Sequence, residues 1–142
     1  MLLTPAAVAE PLPGPVPAEI VRVIDGDTIA VRANIWPGHY VETRVRLGGA
    51  DTPETFRPGC EAERARGEDA KAFTDAWLTG EAGYVRISLT EIDLGSFAGR
   101  VIARIGRADG ADLSDALIAA DLASPYGQER DWCAVAPSPP SR

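Results

Sequence analysis

Apolar and polar side chains alternate along five short segments of the chain. A repeat of two residues is typical of strands that are buried on one face and exposed on the other. Asp25-Gly26 separates the first two segments and predicts a tight hairpin turn. A longer loop, residues 33–40, joins the second segment to the third. The alternating apolar positions are Val21 and Val23, then Ile29 and Val31, then Val41, Val45 and Leu47, then Val85, Ile87 and Leu89, and last Val101, Ala103 and Ile105.

Between the third and fourth of these segments the apolar repeat changes to that of a helix. The spacing predicts one amphipathic helix over 61–78 and a second, shorter helix over 113–120. The order is therefore three strands, helix, two strands, helix. This order fits a mainly β fold, a five-stranded OB-fold barrel with one helix after strand three and one after strand five. An open α+β sheet fits it as well, and the order alone does not decide between the two.

Proline is concentrated at the two ends of the chain. Five of the twelve prolines lie in the first 17 residues and three lie in the last six. We therefore expect one folded domain over 18–134, a Pro/Ala-rich leader over 1–17 and a flexible tail over 135–142. Ala7-Val8-Ala9 is similar to a signal-peptidase site, so the leader is either the remnant of a signal peptide or an ordinary Ala/Pro-rich segment.

Charge and composition exclude several classes of protein. Twenty-one acidic and fourteen basic residues give a net charge of −7, which argues against a protein that coats nucleic acid through bulk positive charge. No stretch approaches the roughly 18 consecutive apolar residues of a membrane span. One histidine and two cysteines are too few for a histidine-rich or four-cysteine zinc site. We expect the histidine, His39, to be solvated in a turn.

Two short motifs with charged residues lie at the ends of predicted strands. In the segment 25–28, Gly26 permits a tight turn, and Asp27 can project a carboxylate at the start of the second strand. Asp-Gly turns are common, so this motif is weak by itself. Gly99-Arg100 opens the fifth strand and places Arg100 on the face opposite the apolar residues, where an ordinary exposed face is the alternative explanation.

A more specific motif follows the third strand, from Arg46 to Glu54. Pro53 biases Thr52 towards an extended conformation, so that the Thr52 carbonyl is aimed rigidly while Asp51 and Glu54 diverge. The start of a helix at this point is the alternative interpretation. Aspartates and a carbonyl without histidine form a set of hard oxygen ligands that suits Ca²⁺ or Mg²⁺ and is poor for zinc. Beside such a metal, arginines stabilise charge on the oxygens of a phosphoryl group.

The motifs, in this order, resemble the staphylococcal (micrococcal) nuclease, or thermonuclease, family, and in particular its small bacterial branch. The likeness covers about residues 20–126. It implies an OB-fold barrel with flanking helices and Ca²⁺-dependent hydrolysis of phosphodiester bonds in DNA and RNA that leaves 3′-phosphate ends. It rests on residues 23–29, 44–47, 51–54 and 99–103, and on Leu117-Ile118 with Leu122-Ala123.

The resemblance also implies roles for individual residues. Asp27 and Asp51 would bind Ca²⁺ through their side chains, and Thr52 through its carbonyl. The remaining three residues would be catalytic: two arginines hold the phosphate and a glutamate acts on water. These are Arg46, Arg100 and Glu54.

One departure from the family concerns base stacking. The tyrosine that commonly precedes Gly99-Arg100 is replaced by Ala98, with Phe97 one place earlier. Tyr126 is an alternative stacking platform for substrate, and packing of its ring on the barrel rim is an equally good explanation. The alternative function is an OB-fold binding module for nucleic acid or protein that has lost catalysis. The six retained site residues argue against that alternative.

The two cysteines, Cys60 and Cys133, are expected to form a disulfide. They are the only cysteines, they bracket much of the folded core, and the Ala-Val-Ala sequence suggests export to an oxidising compartment. Two reduced cysteines in a cytoplasmic protein are the alternative. We therefore expect a periplasmic or secreted monomer, with cytoplasmic as the alternative location. Its partner would be DNA or RNA that is single-stranded or flexible.

Overall fold

The computed structural model describes residues 10–95 and 99–134 of the chain. The Ala7-Val8-Ala9 sequence, the Phe97-Ala98 pair and the tail over 135–142 lie outside the described residues. Nine strands and two helices occur in the described ranges. In chain order they are β1 (Val16–Asp25), β2 (Thr28–Trp36), β3 (His39–Leu47), β4 (Ala50–Asp51), α1 (Glu61–Trp77), β5 (Thr79–Gly80), β6 (Gly83–Tyr84), β7 (Ile87–Leu94), β8 (Arg100–Gly106), α2 (Leu113–Ala119) and β9 (Ser124–Pro125).

Five long strands close into a barrel in the order β1-β2-β3-β8-β7, and β7 pairs back onto β1. All neighbours in this barrel are antiparallel except β3 and β8, which run parallel. A parallel pair requires a long crossover connection, and α1 with the short β5–β6 hairpin lies in that connection. The predicted OB-fold-like barrel is therefore confirmed, and the open-sheet alternative is wrong.

The barrel interior is filled by alternate residues of each strand, as the repeat of two predicts. The core side chains named at the end of this paragraph are fully or almost fully buried, so the burial of their apolar surface is the main source of the stability of the barrel. Helix α1 packs against β1 and α2, and its buried residues are the small Gly67, Ala70 and Thr74. The barrel residues of the core include Ile29, Val31, Val45, Leu47, Leu89, Ala103 and Ile105.

The first strand differs from its predicted pattern. It begins at Val16, inside the predicted leader, and Leu12 forms an isolated bridge with Ile92. The register against β2 shifts between Ile20 and Arg22, and Val21 is 42% exposed. A bulge of this kind turns two successive side chains to the outside, which a strict repeat of two cannot anticipate.

Cys60 and Cys133 lie at disulfide-bonding distance, with their Cα atoms 6.0 Å apart. Cys60 is the N-cap of α1, and its sulfur accepts a hydrogen bond from the Glu63 backbone NH, at 3.4 Å. The pair therefore ties the start of α1 to the C-terminal segment. No helix within the described ranges is both long enough and apolar enough to span a membrane.

Candidate metal and phosphate site

The turn between β1 and β2 is fixed in place by α1. The Thr74 hydroxyl donates a hydrogen bond of 2.7 Å to the Gly26 carbonyl. A Cβ atom on Gly26 would lie 2.8 Å from the Ala70 Cβ and 3.0 Å from the Thr52 Cγ2. Glycine is therefore required here because helix and turn approach closely, and not because of a positive φ, which Gly26 lacks. The contact fixes Asp27 directly beyond the turn.

Arg46 lies between two of the predicted metal-binding carboxylates. Its Nη1 atom is 2.9 Å from the Asp27 Oδ2 atom, and its Nη2 atom contacts the Asp51 Oδ1 atom. Nη1 also donates to the Ala50 carbonyl at 3.1 Å. One guanidinium thus brings both carboxylates to the same point, at the end of β3.

The segment that follows β4 completes this cluster. The Thr52 backbone NH donates to the Asp27 Oδ2 atom at 3.0 Å, and Thr52 is buried. Strand β4 is itself held by antiparallel pairing with β9. Helix α1 begins only at Glu61, with Cys60 as its N-cap, so the interpretation of Thr52 to Glu54 as a helix start is wrong.

The electrostatics of the cluster follow from the burial of Asp27, which is only 5% exposed. Burial raises the pKa of Asp27 to about 6, Arg46 opposes that rise, and the neighbouring Asp25 carboxyl adds to it. Although Glu54 reaches solvent, partial burial of its carboxyl group also raises its pKa, and the Asp27 carboxylate raises it further. The pKa values of both carboxyl groups thus stay raised, chiefly through burial, although Arg46 lowers them.

Glu54 opens onto a cleft of about 470 Å³ beside the cluster. Gly67 of α1 presses against the loop that carries Glu54, because a Cβ atom on Gly67 would lie 2.8 Å from the Pro53 carbonyl oxygen. The same helix therefore positions both the Asp27 turn and the Glu54 loop. The cleft is lined by Asp51, Thr52, Glu54, Glu63, Ser124, Gln128, Glu129, Arg130, Asp131 and Trp132.

Arg100 begins β8 and lies directly opposite Arg44 on the parallel strand β3. Its position on the face opposite the apolar residues is as predicted, since Val101, Ala103 and Ile105 form the inward set. On β3 the same outward face carries Arg46 two residues further along. The register therefore makes Arg100 a diagonal neighbour of Arg46. Arg100 lies outside the carboxylate cluster, on the same face of the barrel as Arg46.

Two other predicted residues lie near the surface. The Tyr126 side chain is 63% exposed, and its backbone NH donates to the Gly49 carbonyl at 3.1 Å, so the ring is at the rim beside β4. His39 is exposed, as expected, and its ring nitrogen Nδ1 is hydrogen-bonded to the Pro37 carbonyl at 2.9 Å.

The sequence did not point to the far wall of the cleft. Trp132 is 5% exposed, and the Arg130 guanidinium lies 4.1 Å from the centre of its ring. Arg130 also forms an ion pair of 2.6 Å with Asp121, which follows α2. The predicted disulfide at Cys133 was the one signal that could have placed this segment against the Glu54 loop.

Within 10–95 and 99–134 no three His, Cys, Asp or Glu side chains are already grouped as a metal site. The two aspartates face Arg46 instead. No protein-family model matches the chain, and a search of curated proteins gives no match either.

Proposed function

We propose that this protein is a Ca²⁺-dependent nuclease that hydrolyses phosphodiester bonds of DNA or RNA and leaves 3′-phosphate ends. The observation that carries the proposal is the position of Arg46, which bridges Asp27 and Asp51 beside the accessible carboxyl group of Glu54. Carboxylates, an arginine that can hold a phosphate and a general base close together are what hydrolysis of a phosphate ester requires.

The donor set supports a hard divalent cation. Asp27 and Asp51 supply carboxylate oxygens that converge on one point, and Thr52 would add its carbonyl. The raised pKa of Asp27 reflects a buried negative charge that further positive charge would relieve. Oxygen ligands without histidine or thiolate suit Ca²⁺. When bound, the ion would offset negative charge on the phosphate oxygens.

The chain's own residues would then divide the remaining work. Arg46 and Arg100, on neighbouring strands of one face, would hold the phosphate oxygens through forked hydrogen bonds. Glu54 would orient the attacking water and accept its proton. A carboxyl group whose pKa is raised towards neutrality is a stronger base than an ordinary glutamate, which favours Glu54 over the exposed acids elsewhere. Tyr126 at the rim would stack on a base of the substrate.

Cleavage of single-stranded DNA and of RNA by the purified chain, with Ca²⁺ and with EDTA, tests the proposal. We expect cleavage with Ca²⁺ alone and 3′-phosphate on the products. Arg100→Ala should lower kcat by on the order of 100-fold with little change in KM, because the arginine stabilises charge that develops in the transition state. Arg86→Ala, which removes an exposed arginine paired with Glu19, is the matched control.

Two results would contradict the proposal. The first is intact substrate after incubation with Ca²⁺, and if the protein still bound the nucleic acid, a binding module without catalysis would be the correct description. The second is a rise in KM at constant kcat for Arg100→Ala, since this would place Arg100 in general substrate binding.

The cysteine pair bears on where the protein acts. Its geometry fits an oxidising compartment, where disulfides persist. We propose that the protein acts in the periplasm or outside the cell. Fractionation of the producing cells tests this, and recovery of the protein with two reduced cysteines from the cytoplasm would contradict it.

A further inference from the structure

The strand register aligns three arginines across the outside of the barrel. Arg22 on β1 pairs with Ala30 on β2, Ala30 pairs with Arg44 on β3, and Arg44 pairs with Arg100 on β8. These four strands are consecutive neighbours in the barrel. The line from Arg22 to Arg100 crosses three strand spacings of about 4.8 Å, so it is roughly 15 Å long. We call Arg22, Arg44 and Arg100 the arginine row.

The line of the row lies on the outside of the barrel, because its positions on β2 and β3 alternate with fully buried ones. Arg22 and Arg44 are exposed, whereas Val31 and Val45, one position along β2 and β3, are fully buried. The small residues Ala30 and Gly99 leave a depression of about 270 Å³ along the row, and among the described residues that line it Glu42 is the one acidic residue. The depression is open to a ligand from solvent.

The neighbouring row of the barrel has the opposite character. Two positions along β2 and β3, Arg32 is opposite Glu42, and Arg32 is also opposite Glu19 of β1. Signs alternate in that row, and Glu19 forms an ion pair with Arg32 at 3.9 Å. It neutralises itself, as cross-strand pairs commonly do.

Two arginines of the row, Arg22 and Arg44, are not neutralised in this way. In the part of the chain that the structure describes, neither Arg22 nor Arg44 forms a salt bridge. Both are exposed to solvent, and in a protein of net charge −7 there is no shortage of carboxylates that could pair them. An anion from outside the chain can therefore reach the two guanidinium groups.

We propose that the arginine row binds successive backbone phosphates of a single-stranded nucleic acid. Arg46 lies two residues beyond Arg44 on the same face, so a strand held in the cluster of Asp27, Asp51 and Glu54 continues directly onto the row. The choice of nucleic acid as the ligand rests on the proposed function, but binding to the row requires neither metal nor cleavage.

The curvature of the barrel favours a single strand over a duplex. Neighbouring strands are rotated by about 20 to 25° relative to one another, so the row bends around the surface. A flexible strand can follow that bend, whereas a stiff duplex contacts it at one point. Arginine suits the role because its fork binds phosphate in two places, independently of sequence.

Binding of a fluorescein-labelled oligothymidylate of twelve nucleotides, measured by anisotropy in EDTA, tests this inference. We expect Arg22→Gln with Arg44→Gln to weaken binding by on the order of tenfold and to reduce the slope of log affinity against log salt by about 1.4. The matched control is Arg32→Gln with Arg86→Gln, which removes the same charge from two arginines that Glu19 already pairs. Glu42→Gln should tighten binding.

Thermal melting of each variant shows that it is folded before binding is compared. Equal weakening by both double variants would overturn the inference, since net charge would then be the cause. Unchanged binding by the Arg22 and Arg44 variant, or tighter binding of a duplex of the same length by the wild type, would overturn it as well.

The outcome is separate from that of the proposed function. If the wild type binds in EDTA through the row but leaves DNA and RNA intact with Ca²⁺, the binding role of the row stands and the proposed nuclease activity is wrong. If the wild type cleaves nucleic acid while the Arg22 and Arg44 variant binds normally, the nuclease activity stands and the binding role of the row is wrong.

Discussion

At the scale of single residues, the site is held by one buried carboxylate and one guanidinium. Asp27 Oδ2 forms an ion pair with Arg46 and accepts a hydrogen bond from the Thr52 backbone NH, so it joins the β1–β2 turn to the segment that follows β3. The cost of this arrangement is the burial of a charge, which the raised pKa of Asp27 records. A group that organises the site therefore opposes the stability of the fold in the absence of a cation.

The effect of the Asp27 charge on the stability of the fold can be measured through its pH dependence. The pKa of Asp27 is about 6 in the folded chain and 3.8 ordinarily, so the folded state binds more protons between these values. The contribution of Asp27 to the free energy of unfolding should therefore be highest below about pH 4 and fall as the pH rises through 6. Asp27→Asn removes this titration and should raise the stability of the metal-free protein at pH 7 by on the order of 2 kcal/mol.

Urea denaturation in EDTA at pH 4 and pH 7 measures this effect, with Asp69→Asn, an exposed residue of α1, as the control. Asp27→Asn should also abolish stabilisation by Ca²⁺. A marked loss of stability at pH 7 would instead show that the Asp27 carboxylate is structural.

At the scale of elements, α1 is the part that assembles the site. It contacts the Asp27 turn through Ala70 and Thr74, and it contacts the Glu54 loop through Gly67. These contacts require small side chains on one face of the helix, which the alanine-rich pattern of 61–78 supplies. The helix thus fixes two loops that the barrel strands alone leave apart.

Gly67→Ala tests this role of α1. Alanine favours a helix by about 1 kcal/mol over glycine, so an exposed site would gain stability. Here the new methyl group would lie 2.8 Å from the Pro53 carbonyl oxygen and 2.7 Å from the Thr55 Cγ2 atom. We expect a net loss of roughly 1 to 3 kcal/mol and a displaced Glu54.

The free energy of unfolding in denaturant and the rate of cleavage are measured for the Gly67→Ala protein. Glu68→Ala, at the next position of the helix, is the comparison, because that residue is exposed. A more stable and equally active Gly67→Ala protein would mean that helix propensity outweighs the close contact.

The elements themselves could largely be predicted from the sequence, because the repeats of two and of 3.6 depend on local burial. The helix predicted over 61–78 is found as Glu61–Trp77. The repeats do not predict the closure of the barrel, since the parallel pairing of β3 with β8 joins residues more than 50 positions apart. The closed barrel was expected from the family resemblance. A bulge at Val21 likewise depends on which strand pairs with β1.

The same division applies to the site. The contiguous motifs gave Asp27, Arg46, Asp51 and Thr52, which the structure brings together. Trp132 and Arg130 carry no local signature, because their place in the cleft is set by the tertiary fold. Even where the residue was identified correctly, as with Gly26, the physical reason was visible only once α1 was packed against it.

At the scale of the whole molecule, the pair of Cys60 and Cys133, at disulfide-bonding distance, links the start of α1 to the segment that forms the wall of the cleft. It closes a loop with a sequence separation of 73 residues. On the chain-entropy model such a link stabilises the fold by roughly 4 kcal/mol, a large part of the net stability of a small domain. Without it, Trp132 and Arg130 would be held only by their local contacts.

We therefore expect reduction with dithiothreitol to lower the melting temperature and to lower cleavage of oligonucleotides, because the wall beside Glu54 is released. Cys60→Ser with Cys133→Ser should behave like the reduced protein and should not respond to dithiothreitol, which separates the disulfide from other effects of the reagent. Mass measurement after alkylation of the non-reduced protein establishes the starting state. Two alkylated cysteines in protein from an oxidising compartment would show that the disulfide does not form. A reduced protein as stable and active as the oxidised one would show that the disulfide does not hold the wall of the cleft.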